Sequence, residues 1–423
     1  MNEALKGPRV DCMRPAHVPA DLIVDLDIYA PQRPGEEFFA AWRRFQDETS
    51  SPVVWTPRNG GHWLVTRGSG VLQVYADFER FSSDSFGVPV AIDQQMPLGA
   101  LIKDPPHHSE YRNFLNRGLS PRIVRANEPE IRAFAISLIE GFRARGECEF
   151  VSEFADVLPL SVFLKLVDLP LEDRETLSTW TAETVRGANL AAREQAFAAL
   201  ADYLAPVIAR RRGGPGTDML SDIANLKVDS HLISDEEAIG AAIHLVMAGL
   251  DTVAALLVFV LAYLARNPVE RRRLIAEPAR VPMAATEFIR RFPIVVMSRR
   301  VRSDIEFEGV ELKTNDMISA PTMLYNLDPA VFPNPMHFDP ERRTITLATF
   351  GQGLHRCPGA ILGRTELMIT LQEWLQRIPD FEIVDEATLK TNGGIVASME
   401  RLDLRWVRQC EPTTQALRSR GPT

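Results

Sequence analysis

The sequence predicts a mostly α-helical protein, built as a single large domain with a small β region. Helical periodicity and capping signals dominate from residue 104 to about 290, whereas strand patterns are short and confined to 53–66, 305–318 and 380–407. The length of 423 residues alone would suggest two or three domains, but no linker or internal repeat divides the chain. We therefore treat residues 1–423 as one domain.

Short elements and irregular segments alternate in the first quarter of the chain. Residues 1–35 are rich in Pro and polar residues, so we expect them to be irregular, like the polar tail at 411–423. Glycines and prolines are scattered through the loop predicted at 82–103, and loops of that length are often functional. In chain order, the predicted elements are a helix over 36–49, a hairpin of strands 53–55 and 60–66, a helix over 69–79, that loop, and a helix that starts at Asp104-Pro105-Pro106.

The longest helical pattern runs from Ala238 to Ala265 and is apolar on all sides. Ser234 and Glu237 have the spacing of a capping box that opens it. The segment is long enough to span a membrane, but Asp251 would then lie at the bilayer centre, at a cost of roughly 2.5–3.5 kcal/mol. We therefore favour a buried central helix.

Composition and charge exclude several classes of protein. The formal net charge of -9 argues against a nucleic-acid binder, whose surface carries a basic excess. No CxxC pair occurs among Cys12, Cys148, Cys357 and Cys410, which argues against a cysteine zinc site and fits a reducing cytoplasm. The arginine run at 210–212, followed by Gly213-Gly214-Pro215, could bind an anion but is better explained as the end of a helix. The N-terminus shows no signal-peptide pattern.

The most informative segment is the decapeptide from Phe350 to Gly359. Its glycines permit tight turns beside a large flat group, and Cys357 directly precedes Pro358 and a strong helical pattern. A cysteine at a helix N-terminus is placed where the helix dipole stabilises a thiolate. Cys357 could be a nucleophile, a metal ligand or a buried structural cysteine, and the neighbouring His355 and Arg356 lower the weight of the last reading.

Two weaker signals accompany this segment. Glu287 and Arg290 lie one helical turn apart, a spacing that is also common in surface ion pairs. The stretch from Ala248 to Thr252 places an acid and an alcohol after two small residues inside the long apolar helix, where we expect a bend.

Taken together, in this order and spacing, these segments resemble the cytochrome P-450 family of haem-thiolate monooxygenases. The decapeptide at 350–359 matches the FGxGxHxCxG pattern, Glu287 and Arg290 match ExxR, and 248–252 matches [AG]GxDT. Residues 104–112 match the family's DPPxH…R stretch. The resemblance covers nearly the whole chain and is strongest to the soluble bacterial camphor hydroxylase group.

The resemblance implies the cytochrome P-450 fold, with a long central helix that crosses a haem b cofactor. It makes Cys357 the axial ligand of the haem iron and Glu287–Arg290 a structural pair below the haem. His108 could instead be a solvated histidine at the start of a helix. The residues implied to hold the haem propionates are His108, Arg112, Arg299 and His355.

The same resemblance implies hydroxylation of a small hydrophobic molecule with O2 and two electrons. Asp251 and Thr252 would deliver protons, with Arg186 either paired to Asp251 or in solvent. The electrons would come from a [2Fe–2S] ferredoxin, supplied by a ferredoxin reductase. The ferredoxin would dock near Arg112, Arg356 and Arg364. A haem-thiolate sensor without turnover is the alternative from another class, and the Asp251–Thr252 pair argues against it.

Substrate choice rests on pocket residues that the motifs do not fix. Met96 stands where camphor-type members carry a tyrosine, so we expect a more apolar pocket that suits a monoterpenoid or norisoprenoid. Alignment with the group places these residues around the pocket: Met96, Leu98, Leu101, Val185, His244, Met247, Val295, Ile395 and Val396. His244 is either an ordinary core histidine or a donor that holds a substrate oxygen.

Overall fold

The computed structural model describes residues 12–89, 102–186, 190–343 and 346–408. About 53% of the chain is helical, with a small β region, as predicted. In chain order the main helices of the described residues are α1 (Phe38–Glu48), α2 (Gly68–Ala76), α3 (His108–Gly118), α4 (Pro121–Arg143), α5 (Val157–Leu166), α6 (Arg174–Arg186), α7 (Leu190–Arg211), α8 (Met219–Ala224), α9 (Asp235–Arg266), α10 (Pro268–Ala276), α11 (Val281–Arg291), α12 (Met323–Asn326) and α13 (Ala360–Arg377).

The strands form one five-stranded sheet and several small ones. The strands are β1 (Val53–Thr56), β2 (His62–Val65), β3 (Phe81–Ser82), β4 (Glu147–Glu149), β5 (Lys227–Val228), β6 (His231–Leu232), β7 (Val296–Val301), β8 (Ile305–Phe307), β9 (Val310–Leu312), β10 (Met317–Pro321), β11 (Glu382–Ile383), β12 (Thr391–Asn392), β13 (Ser398–Met399) and β14 (Asp403–Arg405). The large sheet has the order β1-β2-β10-β7-β3, with β2 and β10 parallel and the other neighbours antiparallel. The predicted β1–β2 hairpin is thus confirmed.

Helix α9 is the centre of the molecule and packs against α5, α6, α7, α8, α10 and α13. Its capping box is present, because Ser234 Oγ accepts from Glu237 N–H at 3.1 Å and the Glu237 carboxylate accepts from Ser234 N–H at 3.0 Å. Among the described residues it is the one helix long and apolar enough to cross a membrane, yet 65% of its most apolar window is buried in the protein. The prediction of a buried central helix is therefore favoured.

The arginine run is confirmed as a helix end. Helix α7 ends at Arg211, and Gly213 follows with a φ of +69°. Arg211 Nε lies 3.1 Å from Asp218 Oδ1, and Arg212 Nη2 lies 2.8 Å from Asp235 Oδ1. The run thus links α7 to the starts of α8 and α9.

Three sequence predictions differ from the structure. The helix expected from Asp104-Pro105-Pro106 begins at His108, because residues 105–107 form a turn. Helix α9 runs through 248–252 without an interruption, so the expected bend is not present as a break in the helix. Strand β7 was not predicted, because it is buried on both faces and lacks the alternation of a half-exposed strand.

Candidate active site

The loop before α13 presents Cys357. The Cys357 N–H donates to the Phe350 carbonyl at 2.7 Å, which closes the loop on itself. Gly351 and Gly353 have φ values of +69° and +70°. A Cβ on Gly353 would lie 2.9 Å from Ala76 Cα, so both the conformation and the close approach of α2 require glycine there.

Cys357 is exposed, although protein atoms surround its thiol closely. Burial raises the pKa of this thiol, against the opposing effects of the Gly359 and Ala360 N–H groups and the charges of Arg112 and Arg356. The N-terminus of α13 therefore favours the thiolate, as predicted, but in the protein by itself burial outweighs this effect. A bound metal ion would supply the missing positive charge, since a coordinating thiol is deprotonated outright.

Two guanidinium groups lie near this loop without a carboxylate partner. Arg299, on β7, is only 5% exposed, stacks 5.4 Å from the Tyr75 ring centroid and donates to the Ser298 carbonyl at 2.8 Å. Arg112, on α3, donates to the Arg356 carbonyl. Neither forms an ion pair with any carboxylate of the described residues, and burial lowers the pKa of both. A buried cation that lacks a counterion in the protein favours an anionic ligand.

Two histidines and an aspartate complete the cluster. The rings of His108 and His355 meet edge to face at 4.5 Å between centroids. Burial, with the charges of His355 and Arg112, lowers the pKa of His108 to about 4, so His108 is a neutral hydrogen-bond donor. His355 Nε2 lies 3.4 Å from Asp104 Oδ1 without forming a hydrogen bond. Asp104 in turn accepts a 2.5 Å hydrogen bond from Ser82 and pairs with Arg302.

These side chains fit the haem that the sequence resemblance implies. The Cys357 thiol would hold the haem iron, and Arg112 and Arg299, which form no ion pair among the described residues, would supply positive charge to the propionates. His108 and His355 add neutral N–H donors beside them. The structure thus brings together all five predicted cofactor residues, which come from α3, β7 and the loop before α13.

The predicted Glu287–Arg290 pair is connected to the cysteine loop by hydrogen bonds. Arg290 Nη1 donates to the Asn326 carbonyl at 2.8 Å. The Asn326 side chain donates to Thr349 Oγ1 at 2.6 Å and accepts from Ala348 N–H at 2.9 Å. Ala348 and Thr349 lead directly into the cysteine loop, so the ion pair fixes where that loop begins. Sequence reasoning missed Asn326, since nothing in the sequence signals a contact across 36 residues.

The centre of α9 is more exposed than the parts of the helix on either side of it. Residues 241–246 and 254–262 are buried, whereas the Ala248 side chain between them is exposed and Asp251 and Thr252 are partly exposed. Helices α9 and α13 approach each other here, as a Cβ on Gly363 would lie 3.2 Å from Val253 Cγ2. The expected proton carriers therefore lie close to the helix that begins just after Cys357.

Gly249 brings α5 against the same part of α9. A Cβ at this position would lie 2.4 Å from Phe163 Cδ2, within the ring itself rather than at a flexible end. Gly249 is one of the two small residues at which the sequence predicted a bend in the helix. In the structure it permits close helix packing instead.

The predicted pocket residues are only partly placed. Met96, Leu98 and Leu101 lie outside the described residues. Val185 and Arg186 end α6, which packs against α9, but their side chains are not among those described. Val295 and Val396 pair in an isolated antiparallel bridge, and the neighbouring Ile395 carbonyl accepts from the Val296 N–H at 2.9 Å. The five predicted pocket side chains that the structure describes are His244, Met247, Val295, Ile395 and Val396, of which the last four are partly exposed.

Comparisons with known proteins agree with this geometry. The family model described as "Cytochrome P450" matches residues 184–392. A probable cytochrome P450 127A1 from Sinorhizobium fredii is 35% identical over 93% of this chain and 96% of that protein. The mycinamicin IV hydroxylase/epoxidase of Micromonospora griseorubida is 30% identical over 79% of this chain and 86% of its own length.

Solved structures are similar at greater identity. The crystal structure of CYP101J2 superposes with a TM-score of 0.87 at 40% identity, over 93% of this chain and 99% of that one. The crystal structure of CYP101C1 gives a TM-score of 0.85 at 38% identity, over 93% of this chain and all of the other.

Proposed function

The chain belongs to the cytochrome P450 family of haem b monooxygenases, and from this we propose that it hydroxylates a small hydrophobic terpenoid with electrons from a ferredoxin. The observation that carries the proposal is the close packing of α13, the helix that begins just after Cys357, against α9 at Val253, next to Asp251 and Thr252. Cys357, Asp251 and Thr252 are all at least partly exposed. The relatives named above are bacterial proteins, and we propose that this protein is soluble and located in the bacterial cytoplasm.

In this proposal Cys357 ligates the haem iron, and Arg112, Arg299, His108 and His355 hold the propionates. When bound, the haem supplies the activation of O2 that inserts one oxygen atom into a C–H bond. The role of the protein is to bind the group, orient it and exclude water from it. The buried, unpaired Arg299 supports this assignment, because its charge has no counterion among the described residues.

In the same proposal Thr252 and Asp251 hold and transfer protons beside the substrate. The Thr252 hydroxyl both donates and accepts, so it can hold a water and pass a proton at Oγ1. The Asp251 carboxylate relays protons from solvent. Arg186 at the end of α6 is the proposed partner of Asp251.

The test of this function is the fate of reducing equivalents in Thr252→Ala. With a terpenoid present, we expect the variant to consume reducing equivalents but to release hydrogen peroxide in place of alcohol. The matched control is Thr314→Ala, because that threonine is exposed and its hydroxyl donates to Asp304 Oδ1 at 2.9 Å in the turn before β10. Full alcohol yield in Thr252→Ala would remove Thr252 from the proton relay.

The electron donor should dock on the face of the protein below Cys357. Arg356 is exposed there, and Leu354 and Ile361 expose 41% and 43% of their surface beside it. Apolar side chains flanked by arginines suit an acidic ferredoxin, which must find cations despite the net charge of -9. Arg112 and Arg364 are the other proposed docking residues.

Arg356→Glu tests this docking face and replaces none of the proposed propionate partners, although Arg112 contacts the Arg356 carbonyl. We expect a higher KM for a [2Fe–2S] ferredoxin and unchanged haem content. Arg405→Glu, on β14, is a control with the same change of charge at an exposed ion pair with Glu382. If Arg356→Glu and Arg405→Glu had the same KM for the ferredoxin, the proposed docking face would be wrong.

A further inference from the structure

His244 lies on α9 in a place where a polar side chain is unusual. It is only 9% exposed, and it stands one helical turn before Ala248, whose side chain is exposed. Residues four apart share one face of a helix, so the imidazole lies along the same wall as Ala248. Met247 lies between His244 and Ala248 in the sequence and is partly exposed, so it adds an apolar side chain to this wall.

The imidazole of His244 makes no hydrogen bond to any residue that the structure describes. Burial lowers the pKa of His244 to about 4, so the ring is neutral and carries one N–H donor and one acceptor nitrogen. Both ring nitrogens of the core histidine His62 are sealed in the protein without a partner among the described residues, whereas those of His244 are not completely buried. The unpartnered imidazole of His244 therefore borders accessible space in which a ligand can supply the hydrogen bond.

We propose that His244 is a specificity-determining residue that donates a hydrogen bond to a ketone or ether oxygen of the substrate, an inference that rests on the proposed function. A neutral imidazole selects a neutral acceptor over a carboxylate. The partly exposed Val295, Ile395 and Val396 make the rest of the described wall apolar, so one oxygen on a compact hydrocarbon frame matches the site. The substrate class is thus an oxygenated terpenoid and not a terpene hydrocarbon.

Ligand binding to His244→Leu tests this inference, with two matched pairs of probes. The pairs are camphor with bornane, and cineole with the analogue in which a methylene replaces the ether oxygen. Each is titrated against the haem absorption band of the holoprotein. We expect the variant to bind the oxygenated member of each pair about threefold to tenfold more weakly and the hydrocarbon unchanged. His244→Gln, which keeps an N–H donor, should recover part of the loss.

Two controls separate this result from a general defect. His62→Leu removes another buried, neutral histidine, on β2, and should leave both members of each pair unchanged. The reduced, carbon monoxide-bound spectrum should keep its thiolate signature in every variant. Loss of that signature would contradict the proposed function and not the role of His244. Equal changes for oxygenated and hydrocarbon ligands would overturn the role of His244.

A second measurement needs no variant. The infrared carbonyl stretch of camphor bound to the wild-type holoprotein should lie below its value in an apolar solvent, because a donated hydrogen bond weakens the C=O bond. An unshifted stretch would overturn the inference. The inference would also be overturned if the resting haem spectrum showed a nitrogen ligand and His244→Leu abolished that signature, because the imidazole would then bind the iron.

Discussion

Glu287 and Arg290 form a two-point ion pair in the core, with Arg290 Nη2 2.7 Å from Glu287 Oε1 and Nε 2.8 Å from Oε2. Both side chains are almost completely buried, at 0% and 2% exposure. Glu287 Oε1 also accepts from the Asp339 N–H at 3.0 Å. Arg342 Nε lies 3.3 Å from the same oxygen, so Glu287 neutralises two arginines and the network depends on this one carboxylate.

Glu287→Gln should strongly destabilise the protein. The substitution leaves Arg290 as a buried cation without its counterion, which costs about 3–5 kcal/mol. The free energy of unfolding in urea measures this directly, and haem content should fall in parallel because Asn326 connects the pair to the cysteine loop. Arg266→Gln, which breaks an exposed pair with Glu386, should cost about 1 kcal/mol or less. Similar costs for both variants would contradict this account.

Arg299→Gln should weaken haem retention without destabilising the haem-free protein. In the protein alone the buried Arg299 has no carboxylate partner among the described residues, so its removal relieves a cost of burial. In the holoprotein the same change removes a charge-assisted hydrogen bond, worth about 1.5–3 kcal/mol. Transfer of haem to an acceptor globin should therefore be about tenfold faster or more, while urea unfolding of the haem-free variant shows no loss of stability.

The neighbouring residue supplies the control for Arg299. Arg300 points to the other face of β7, where its Nε lies 2.9 Å from Asp84 Oδ1. Arg300→Gln should retain haem like the wild type. A haem-free Arg299→Gln protein that is less stable than Arg300→Gln would show that Arg299 is an ordinary structural arginine.

The contrast between Arg299 and Asp104 shows what the sequence could and could not predict. Cys357, Arg112 and Glu287–Arg290 lie in the short motifs that carry the family resemblance, and that resemblance predicted their grouping. Arg299 was named by resemblance alone, because its strand is buried on both faces and carries no alternating pattern. The partnership of Asp104 with His355 and Arg302 is purely tertiary, and no local rule of helix or turn formation contains it.

The helix boundaries show the same division. The capping box at Ser234 and the glycine after Arg212 mark their helices correctly, since capping depends on neighbours in sequence. The N–H groups at the start of α13 lower the pKa of Cys357 as the sequence predicted, but burial by distant elements, which no local signal reveals, raises it by more. Local signals thus predicted elements, and long-range burial determined electrostatics.

Acid should destabilise the protein through His62. Burial lowers the pKa of His62 from 6.5 to about 4, and the nearby Arg58 backbone offsets only part of this effect. Between those pH values the unfolded chain binds a proton that the folded protein does not. The stabilisation is therefore complete above pH 6.5 and is lost as the pH falls towards 4, at up to about 1.4 kcal/mol per pH unit.

Urea unfolding of wild type and His62→Gln as a function of pH measures this contribution. We expect the variant to lose less free energy of unfolding on acidification. His231→Gln, at an exposed position on β6, should follow the wild-type curve. Parallel curves for wild type and His62→Gln would show that another group carries the acid sensitivity.

The most direct test of the central claim is the spectrum of the reduced protein under carbon monoxide. Cys357 is the proposed thiolate ligand, so the wild type should show the red-shifted Soret band that identifies a thiolate opposite carbon monoxide. Cys148→Ser is the control, because that cysteine is buried on β4 and should not affect the band. The account predicts that Cys357→His still binds haem but loses the red-shifted band. A Cys357→His protein that keeps the band would contradict the assignment of Cys357 as the iron ligand.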